Sequence, residues 1–337
     1  MNKTGSIQDT GNGAAPNASD SRRRGDILRG SIFLTLGALV WGCAFVAQNV
    51  SMDHIGPFAF NAIRSVMGSI VLLPLIYFSQ HRDKTLMSMT AEQRRERRAR
   101  EIRIMLIMGA AVFVPTTLQQ IGLITTSPGK SGFITAMYVV TVPMLAIVLG
   151  RRPGLPVLFG VALSVAGLYL LCVTDSFSIE RGDTVTLISV FFWAIQIMCT
   201  DHFSKKMNVL KMTSGGFFVC GVLSFICMLL FEHPTRQGII DCMIPLLYTG
   251  IMSTGAGYSL QAAGQKTTPP IVASLIMSLE SVFAALAGYV ILGDRLTTKE
   301  LCGCALILAA VVLSQVFPAG RREKDASEVQ EDTAEII

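Results

Sequence analysis

Long apolar runs follow one another along almost the whole chain, and the short segments between them hold most of the charged residues. A helix needs about 20 apolar residues to cross the hydrocarbon core of a bilayer, and run after run reaches that length. Charged residues make up 15% of the sequence, whereas roughly 25% is usual for soluble domains. The pattern predicts an all-α integral membrane protein whose surroundings are a lipid bilayer.

The apolar runs predict ten transmembrane helices, which we number as spans one to ten. The predicted spans are residues 30–49, 57–79, 104–124, 129–150, 155–173, 184–203, 212–231, 243–263, 270–292 and 300–317. Residues 1–29 and 318–337 are mostly polar or charged, so they cannot bury much apolar surface and are predicted to be flexible tails. Nothing of the size of a soluble domain remains.

The distribution of basic residues predicts that both tails are cytoplasmic. Of the 28 Lys and Arg residues, 22 lie in the N-terminal region or in segments on the same side of the membrane, and four lie on the other side. Arg64 and Lys130 fall within spans. Because basic loops resist translocation, the side rich in Lys and Arg is expected to be the cytoplasm. The sequence thus predicts a multi-pass protein of the plasma membrane.

Several other classes of protein are not supported. The segment 91–103 is basic but alternates Glu with Arg and has no aromatic residue, which favours a solvated helical loop at a lipid surface over nucleic-acid binding. The chain has neither a GxSxG nor an HExxH motif, and its eight cysteines form no CxxC pair. We therefore expect no enzyme activity, no metal site and no cofactor.

A polar stretch near the end of span three recurs near the end of span eight. "LQQIGLITTSPGKSG" begins at Leu118, and "LQAAGQKTTPPIVAS" begins at Leu260. Each half, 30–173 and 184–317, then holds five spans, and five is odd, so the second half must enter the membrane inverted relative to the first. Inverted repeats are a common plan of secondary transporters, which bind substrate near the midplane between the halves.

The two repeated stretches contain turns at 125–128 and 265–270 that have two readings. Thr, Gly and Pro end helices and allow tight turns, so the turns are hinge candidates for a rocking motion between the halves. They could equally be fixed loops that persist from the duplication.

Polar side chains within the spans recur at helical spacing and predict a cavity. A charged side chain at the bilayer centre costs at least about 2.5–3.5 kcal/mol, so it normally faces protein or water. The candidate substrate-binding residues are Trp41, Gln48, Asn61, Arg64, Gln119, Gln120, Lys130, Tyr138, Trp193, Gln196, Tyr258, Gln261 and Glu280. Spans five and ten lack an embedded charge and are expected to brace the cavity from outside.

Each candidate also has a structural reading. The glutamines could serve only to bond neighbouring helices, and the two tryptophans could pack or mark the interface. Arg64 could pair with another helix or snorkel, and Lys130 could reach water at the end of its span. Glu280 lies nearest the middle of a span, so it is the strongest candidate, and it could exchange a proton or anchor the substrate.

Four stretches together resemble the EamA branch of the drug/metabolite transporter superfamily. They are "WGCAFVAQNV", "GPFAFNAIRSVMGSIVLLPL", "LQQIGLITTSPGKSGFITAMYVVTVPML" and "SLESVFAALAGYVILGDRLT". The resemblance covers residues 30–317 and implies ten helices in two inverted five-helix repeats, commonly exporting amino acids, other metabolites or toxic compounds. Ser281 is a departure, because the family often has Pro after the Glu of span nine.

We accordingly expect a secondary transporter that exports small polar or amphipathic metabolites by alternating access. A non-transporting membrane receptor or scaffold is the alternative. Arg64, Lys130 and Glu280 together could suit a zwitterion, whose carboxylate and amine would meet opposite charges. The sequence indicates no particular oligomeric state and no particular coupling ion beyond the proton that Glu280 could carry.

Overall fold

The computed structural model describes residues 18–81, 89–151, 153–172, 180–287, 289–290 and 297–316. Within these ranges every regular element is a helix, and each predicted span corresponds to one or more of them. In span order the helices are Ala18–Ser51; Pro57–Val71 and Leu73–His81; Ala91–Gly122; Pro128–Ala136 and Tyr138–Val148; Leu155–Cys172; Arg181–Ser204; Val209–Phe231; Met243–Leu247, the π-helix Tyr248–Gly257 and Tyr258–Gln265; Pro270–Met277 and Leu279–Ala287; and Thr298–Val316. A short helix, Arg236–Asp241, precedes span eight.

The lengths of these helices suit a bilayer. Among the described residues, seven helical segments are long and apolar enough to cross a membrane, and they belong to spans one to four, six, seven and nine. Span five, Leu155–Leu171, is a shorter apolar helix. The prediction of an all-α membrane protein is confirmed.

Two helices begin earlier than the sequence reading expected. Span one is helical from Ala18, so the helix includes residues 18–29 of the predicted tail. Span three begins at Ala91, where Thr90 and Gln93 form a capping box. Residues 91–103 are strong helix formers with no Gly or Pro among them, so the helix continues without a break into the apolar run. The remaining tail residues, 1–17 and 317–337, lie outside the described ranges.

Spans four and nine are each interrupted once, at equivalent places. The interruption in span four is at Met137 and that in span nine is at Ser278. The two repeats align when the stretch that begins at Leu118 is placed on the stretch that begins at Leu260. In this alignment both breaks fall at the same point of the repeat, within one residue. Span nine therefore has its interruption although Ser281 replaces the proline that the family often has there.

The two turns lie at opposite ends of the bundle. The first turn, residues 123–127, accepts a hydrogen bond at the Leu123 carbonyl oxygen from Asn49 Nδ2, at 3.1 Å. The second turn, residues 266–269, contacts the other end of span one, where Thr267 Oγ1 donates to the Asp26 carbonyl oxygen at 3.0 Å. Asp26 and Asn49 lie on one continuous helix, about 35 Å apart at 1.5 Å per residue. Equivalent turns at opposite ends are what an inverted repeat requires.

Each turn packs against the first span of the other half through a glycine pair. A Cβ on Gly122 would lie 2.9 Å from the Gly182 carbonyl oxygen, and a Cβ on Gly264 would lie 2.7 Å from the Gly30 carbonyl oxygen. Only glycine allows helices to approach so closely at these crossings. The same packing device therefore joins span three to span six at one end and span eight to span one at the other.

Spans five and ten pack against each other at one side of the bundle. A Cβ on Gly167 would lie 2.7 Å from the Gly303 carbonyl oxygen, and one on Gly303 would lie 2.6 Å from the Gly167 carbonyl oxygen. The other contacts between helices follow the same symmetry. Span four packs on span six as span nine packs on span one, and span two packs on its counterpart, span seven. The fold thus leaves the remaining spans to enclose the centre.

Candidate functional site

A cavity lies at the centre of the bundle. Side chains from spans one, two, three, four, six, eight and nine form its wall, and those of spans five and ten do not. The lining residues are Trp41, Phe45, Gln48, Arg64, Gln119, Thr135, Tyr138, Trp193, Gln196, Ile197, Ser253, Tyr258, Gln261, Met277 and Glu280. Both halves of the chain contribute to the wall, which suits binding between two repeats.

The structure brings ten of the thirteen sequence candidates to this cavity. They are Trp41, Gln48, Arg64, Gln119, Tyr138, Trp193, Gln196, Tyr258, Gln261 and Glu280. Sequence reasoning missed the other five lining residues, which are Phe45, Thr135, Ile197, Ser253 and Met277. Helical spacing could have found Phe45, four residues after Trp41, and Thr135, three before Tyr138.

Arg64 contributes a buried positive charge to the cavity wall. Its side chain is 5% exposed, its Nη1 donates to Gln48 Oε1 at 2.8 Å, and its Cζ lies 5.2 Å from the centroid of the Phe60 ring. Its Nε has no hydrogen-bond partner within the described ranges. No carboxylate among the described residues forms an ion pair with it. The guanidinium group thus faces the cavity with its charge uncompensated.

Glu280 contributes a buried carboxyl group to the same wall. The residue is 4% exposed, and no described residue forms a hydrogen bond with its Oε1. Among the described residues it also forms no ion pair. The Tyr138 hydroxyl faces the carboxyl group without reaching hydrogen-bonding geometry. A Cβ on Gly42 would lie 2.7 Å from the Glu280 carbonyl oxygen, so the backbone of span one fixes this part of span nine.

Aromatic rings gather around Tyr258. The centroid of its ring lies 4.9 Å from that of Trp41, 6.2 Å from that of Trp193 and 4.6 Å from that of Phe217. The indole Nε1 of Trp41 donates to the Ser253 carbonyl oxygen at 3.3 Å. This carbonyl belongs to the π-helix of span eight, which the sequence reading did not predict, and wide helical turns of this kind are frequent at functional sites.

Amide side chains connect the spans around the cavity. Gln196 and Gln261 exchange reciprocal hydrogen bonds of 3.4 Å and 3.3 Å between spans six and eight. Gln119 Nε2 donates to Thr135 Oγ1 at 2.8 Å, between spans three and four. These amides therefore form hydrogen bonds between helices, as their structural interpretation predicts, and they also line the cavity.

Asn61, Gln120 and Lys130 lie away from the cavity wall. Asn61 and Gln120 are fully buried. Gln120 Nε2 donates to the Gln48 carbonyl oxygen at 3.2 Å, whereas neither amide atom of Asn61 has a hydrogen-bond partner among the residues that the structure describes. Lys130 Nζ forms an ion pair with Asp183 at 2.5 Å. The idea that Lys130 adds a charge to the cavity is thus not supported, because Asp183 holds its ammonium group at the first turn.

The arrangement can bind a small polar molecule that carries both charges. Among the described residues no group of His, Cys, Asp and Glu is placed to hold a metal ion. The wall instead offers one guanidinium, one carboxyl group, amides and aromatic rings. A guanidinium group recognises a carboxylate, a carboxyl group recognises an amine, and aromatic rings pack against cationic or apolar groups.

The model of the EamA-like transporter family matches residues 28–173 and again residues 180–315. The chain belongs to this family. An uncharacterized transporter of Archaeoglobus fulgidus is 29% identical over 287 residues, which cover 83% of each chain. A WAT1-related chloroplastic protein of Arabidopsis thaliana is 26% identical over 83% of this chain and 67% of its own. The uncharacterized transporter YwfM of Bacillus subtilis is 23% identical over 88% and 97%.

A solved crystal structure has the same fold. The two superpose with a TM-score of 0.68 at 16% sequence identity, over 85% of this chain and 96% of the other. With the family membership, this makes the protein a multi-pass membrane transporter rather than an enzyme, with a small-molecule substrate and a bilayer around it. The resemblance noted from the sequence is confirmed.

Proposed function

We propose that the protein is a secondary transporter of the plasma membrane that exports amino acids or related small polar and amphipathic metabolites by alternating access. The observation that carries the proposal is that Arg64 and Glu280 line one cavity, are both buried, and have no ion-pair partner among the described residues. A receptor or scaffold has no need of two ionisable groups without ion-pair partners on the wall of an internal cavity.

The energetics favour a ligand of mixed charge. Removing an ion from water costs several kcal/mol unless an opposite charge compensates it. An amino acid in its zwitterionic form would supply a carboxylate for Arg64 and an ammonium group for Glu280 at once. The rings of Trp41, Trp193 and Tyr258 would enclose the rest of the molecule, since all three line the cavity.

Alternating access is supported by the contacts at the two ends of the bundle. At the first turn, Lys130 and Thr126 bind Asp183 of span six. At the second turn, Thr267 binds the backbone of span one. Rocking one half against the other would break these contacts in alternation, and the two turns would then serve as hinges.

Glu280 is also the residue that could couple transport to protons. A substrate ammonium group and a proton would compete for the same carboxylate, so the binding of one would release the other. We propose that proton entry through Glu280 drives substrate exit. The excess of Lys and Arg on one side supports cytoplasmic termini, and export would then proceed from the side of the tails.

Transport by purified protein in proteoliposomes tests the proposal. A panel of amino acids and cationic drugs would be assayed by counterflow with wild type, Arg64→Gln and the control Arg103→Gln, which changes an exposed residue of span three. We expect amino acids to exchange with wild type and with the control. Arg64→Gln should lower the rate at least tenfold, since about 1.4 kcal/mol of binding energy suffices for that change.

Two results would contradict the proposal. Wild type that exchanges none of the amino acids would exclude this substrate class, and binding without exchange would support a receptor. If Arg64→Gln exchanges amino acids at the wild-type rate, the guanidinium group does not bind the substrate.

A further inference from the structure

A second, smaller cleft adjoins the central cavity. Gln196, Tyr258 and Gln261 line both spaces and so form the partition between them. The far side of the cleft is built mainly from apolar groups of spans three, seven and eight, including Met108 and Phe217. Unlike the cavity, the cleft has no charged residue in its lining.

We propose that this cleft is a side-chain subsite, which takes the flexible apolar side chain of a substrate amino acid while Arg64 and Glu280 hold its charged groups. The inference rests on the proposed function and adds to it a substrate class, amino acids with long unbranched or aromatic side chains. Small amino acids would leave the cleft empty and gain nothing from it.

The chemistry of the walls favours such an occupant. Met108 and Met212 face the cleft from spans three and seven, and the unbranched thioether side chain of methionine adapts to differently shaped apolar groups. Phe217 supplies an aromatic ring and Ala262 a small side chain. A charged or strongly hydrated side chain would lose its water here without compensation.

The position of Tyr258 links the subsite to the charged groups. Its ring lies between those of Trp41, in the cavity, and Phe217, in the cleft, with centroid distances of 4.9 Å and 4.6 Å. The neighbouring Gln196 and Gln261 are joined by hydrogen bonds of 3.3 Å and 3.4 Å, which are long for such bonds. A substrate side chain can therefore enter the cleft by turning one phenol ring and separating one weakly bonded amide pair.

A variant that fills the cleft provides the sharpest test. Ala262→Leu adds apolar volume at the wall, and Met212→Ala removes it. The matched control is Ala305→Leu, the same change at an exposed position of span ten. The measured quantity is the ratio of counterflow for methionine and phenylalanine to counterflow for alanine and glycine. Each variant would first be checked for folding by size-exclusion chromatography.

The subsite predicts opposite changes in this ratio. Ala262→Leu should lower it about tenfold, the effect of one or more methylene groups in an apolar pocket, and Met212→Ala should raise it for phenylalanine. The control should leave it as in wild type. If Ala262→Leu does not fold, an unchanged ratio in Met212→Ala is sufficient to overturn the subsite.

Other outcomes separate the two proposals. If wild type exchanges amino acids but Ala262→Leu slows all of them equally, the cleft is only part of the release path, and the proposed function stands. If the counterflow ratios of all variants equal the wild-type ratio, the proposal of a subsite is also wrong. If wild type exchanges none of the amino acids, both proposals fail.

Discussion

Replacing Glu280 with Gln removes the charge of the carboxyl group and keeps its volume. The residue is 4% exposed, and its Oε1 has no hydrogen-bond partner in the part of the chain that the structure describes. We expect Glu280→Gln to fold and insert, because the amide keeps the volume of the carboxyl group and can never place a charge in this buried position. The variant should therefore unfold at the same temperature as wild type or at a higher one, and should lose transport of amine-bearing substrates.

The size of the loss follows from the bond that disappears. A hydrogen bond to a charged group contributes about 1.5–3 kcal/mol, and each 1.4 kcal/mol is about tenfold in affinity. Because the carboxyl group of Glu280 has no other ion-pair partner among the described residues, the full effect should fall on the substrate. Affinity for an amino acid should then drop by about 10-fold to 150-fold.

A substrate without the amine gives the decisive comparison. The des-amino analogue of the same amino acid keeps its carboxylate and side chain, so Glu280→Gln should leave its affinity unchanged or raise it. Competition binding in detergent would give the ratio of the two affinities for wild type and variant. Glu96→Gln, the same change at an exposed position, is the matched control.

The reasoning is refuted if Glu280→Gln binds the amino acid as wild type does, with an unchanged ratio to the analogue. Equal weakening of both compounds would also contradict it, since this would show a general disturbance of the cavity. In proteoliposomes, transport by Glu280→Gln could still depend on the proton gradient as transport by wild type does. That result would exclude Glu280 as the coupling group.

Two further predictions concern the ends of the bundle. Lys130→Met should lower the free energy of unfolding by about 1–3 kcal/mol, because it leaves the carboxylate of Asp183 with fewer donors. A double-mutant cycle with Asp183→Asn, measured by thermal unfolding, should show that the two changes are coupled. Additive effects would mean that the ion pair contributes nothing to stability. In a background without native cysteines, Ser127→Cys should react with an impermeant thiol reagent only in intact cells, and Lys266→Cys only in inverted vesicles. Both positions are exposed, so the reagent can reach them. Labelling of both from one side would contradict the proposed topology.

Much of the site could be predicted because charged and amide groups are costly in lipid. Arg64, Gln119 and Glu280 were identified from their depth within apolar runs and from helical spacing, and all three line the cavity. Such residues have few alternatives in a membrane protein, since they must face a cavity or a partner. The reading was weaker for Lys130, where a position near the end of a span allowed a partner outside the cavity.

The rest depended on contacts that no local pattern contains. The partner of Lys130 is Asp183, which lies at the start of a span in the other half of the chain and has no fixed spacing to it. The π-helix Tyr248–Gly257 occurs in a segment whose apolar pattern suits an ordinary helix. Asn61 has the spacing of a cavity residue, yet the rotation of span two buries it elsewhere. Helix rotation depends on packing, which the sequence pattern alone does not give.

The duplication accounts for the shape of the cavity, and divergence accounts for its charge. In the aligned repeats Gln119 is equivalent to Gln261, and Tyr138 is equivalent to Glu280; all four side chains line the cavity. The amides are the same in both halves, whereas a phenol in span four faces a carboxyl group in span nine. A symmetric pair of carboxyl groups would repel each other and would accept a ligand in two opposite orientations. With one carboxyl group, and one guanidinium group on span two, the proposed zwitterion would bind in a single direction, with its amine towards span nine.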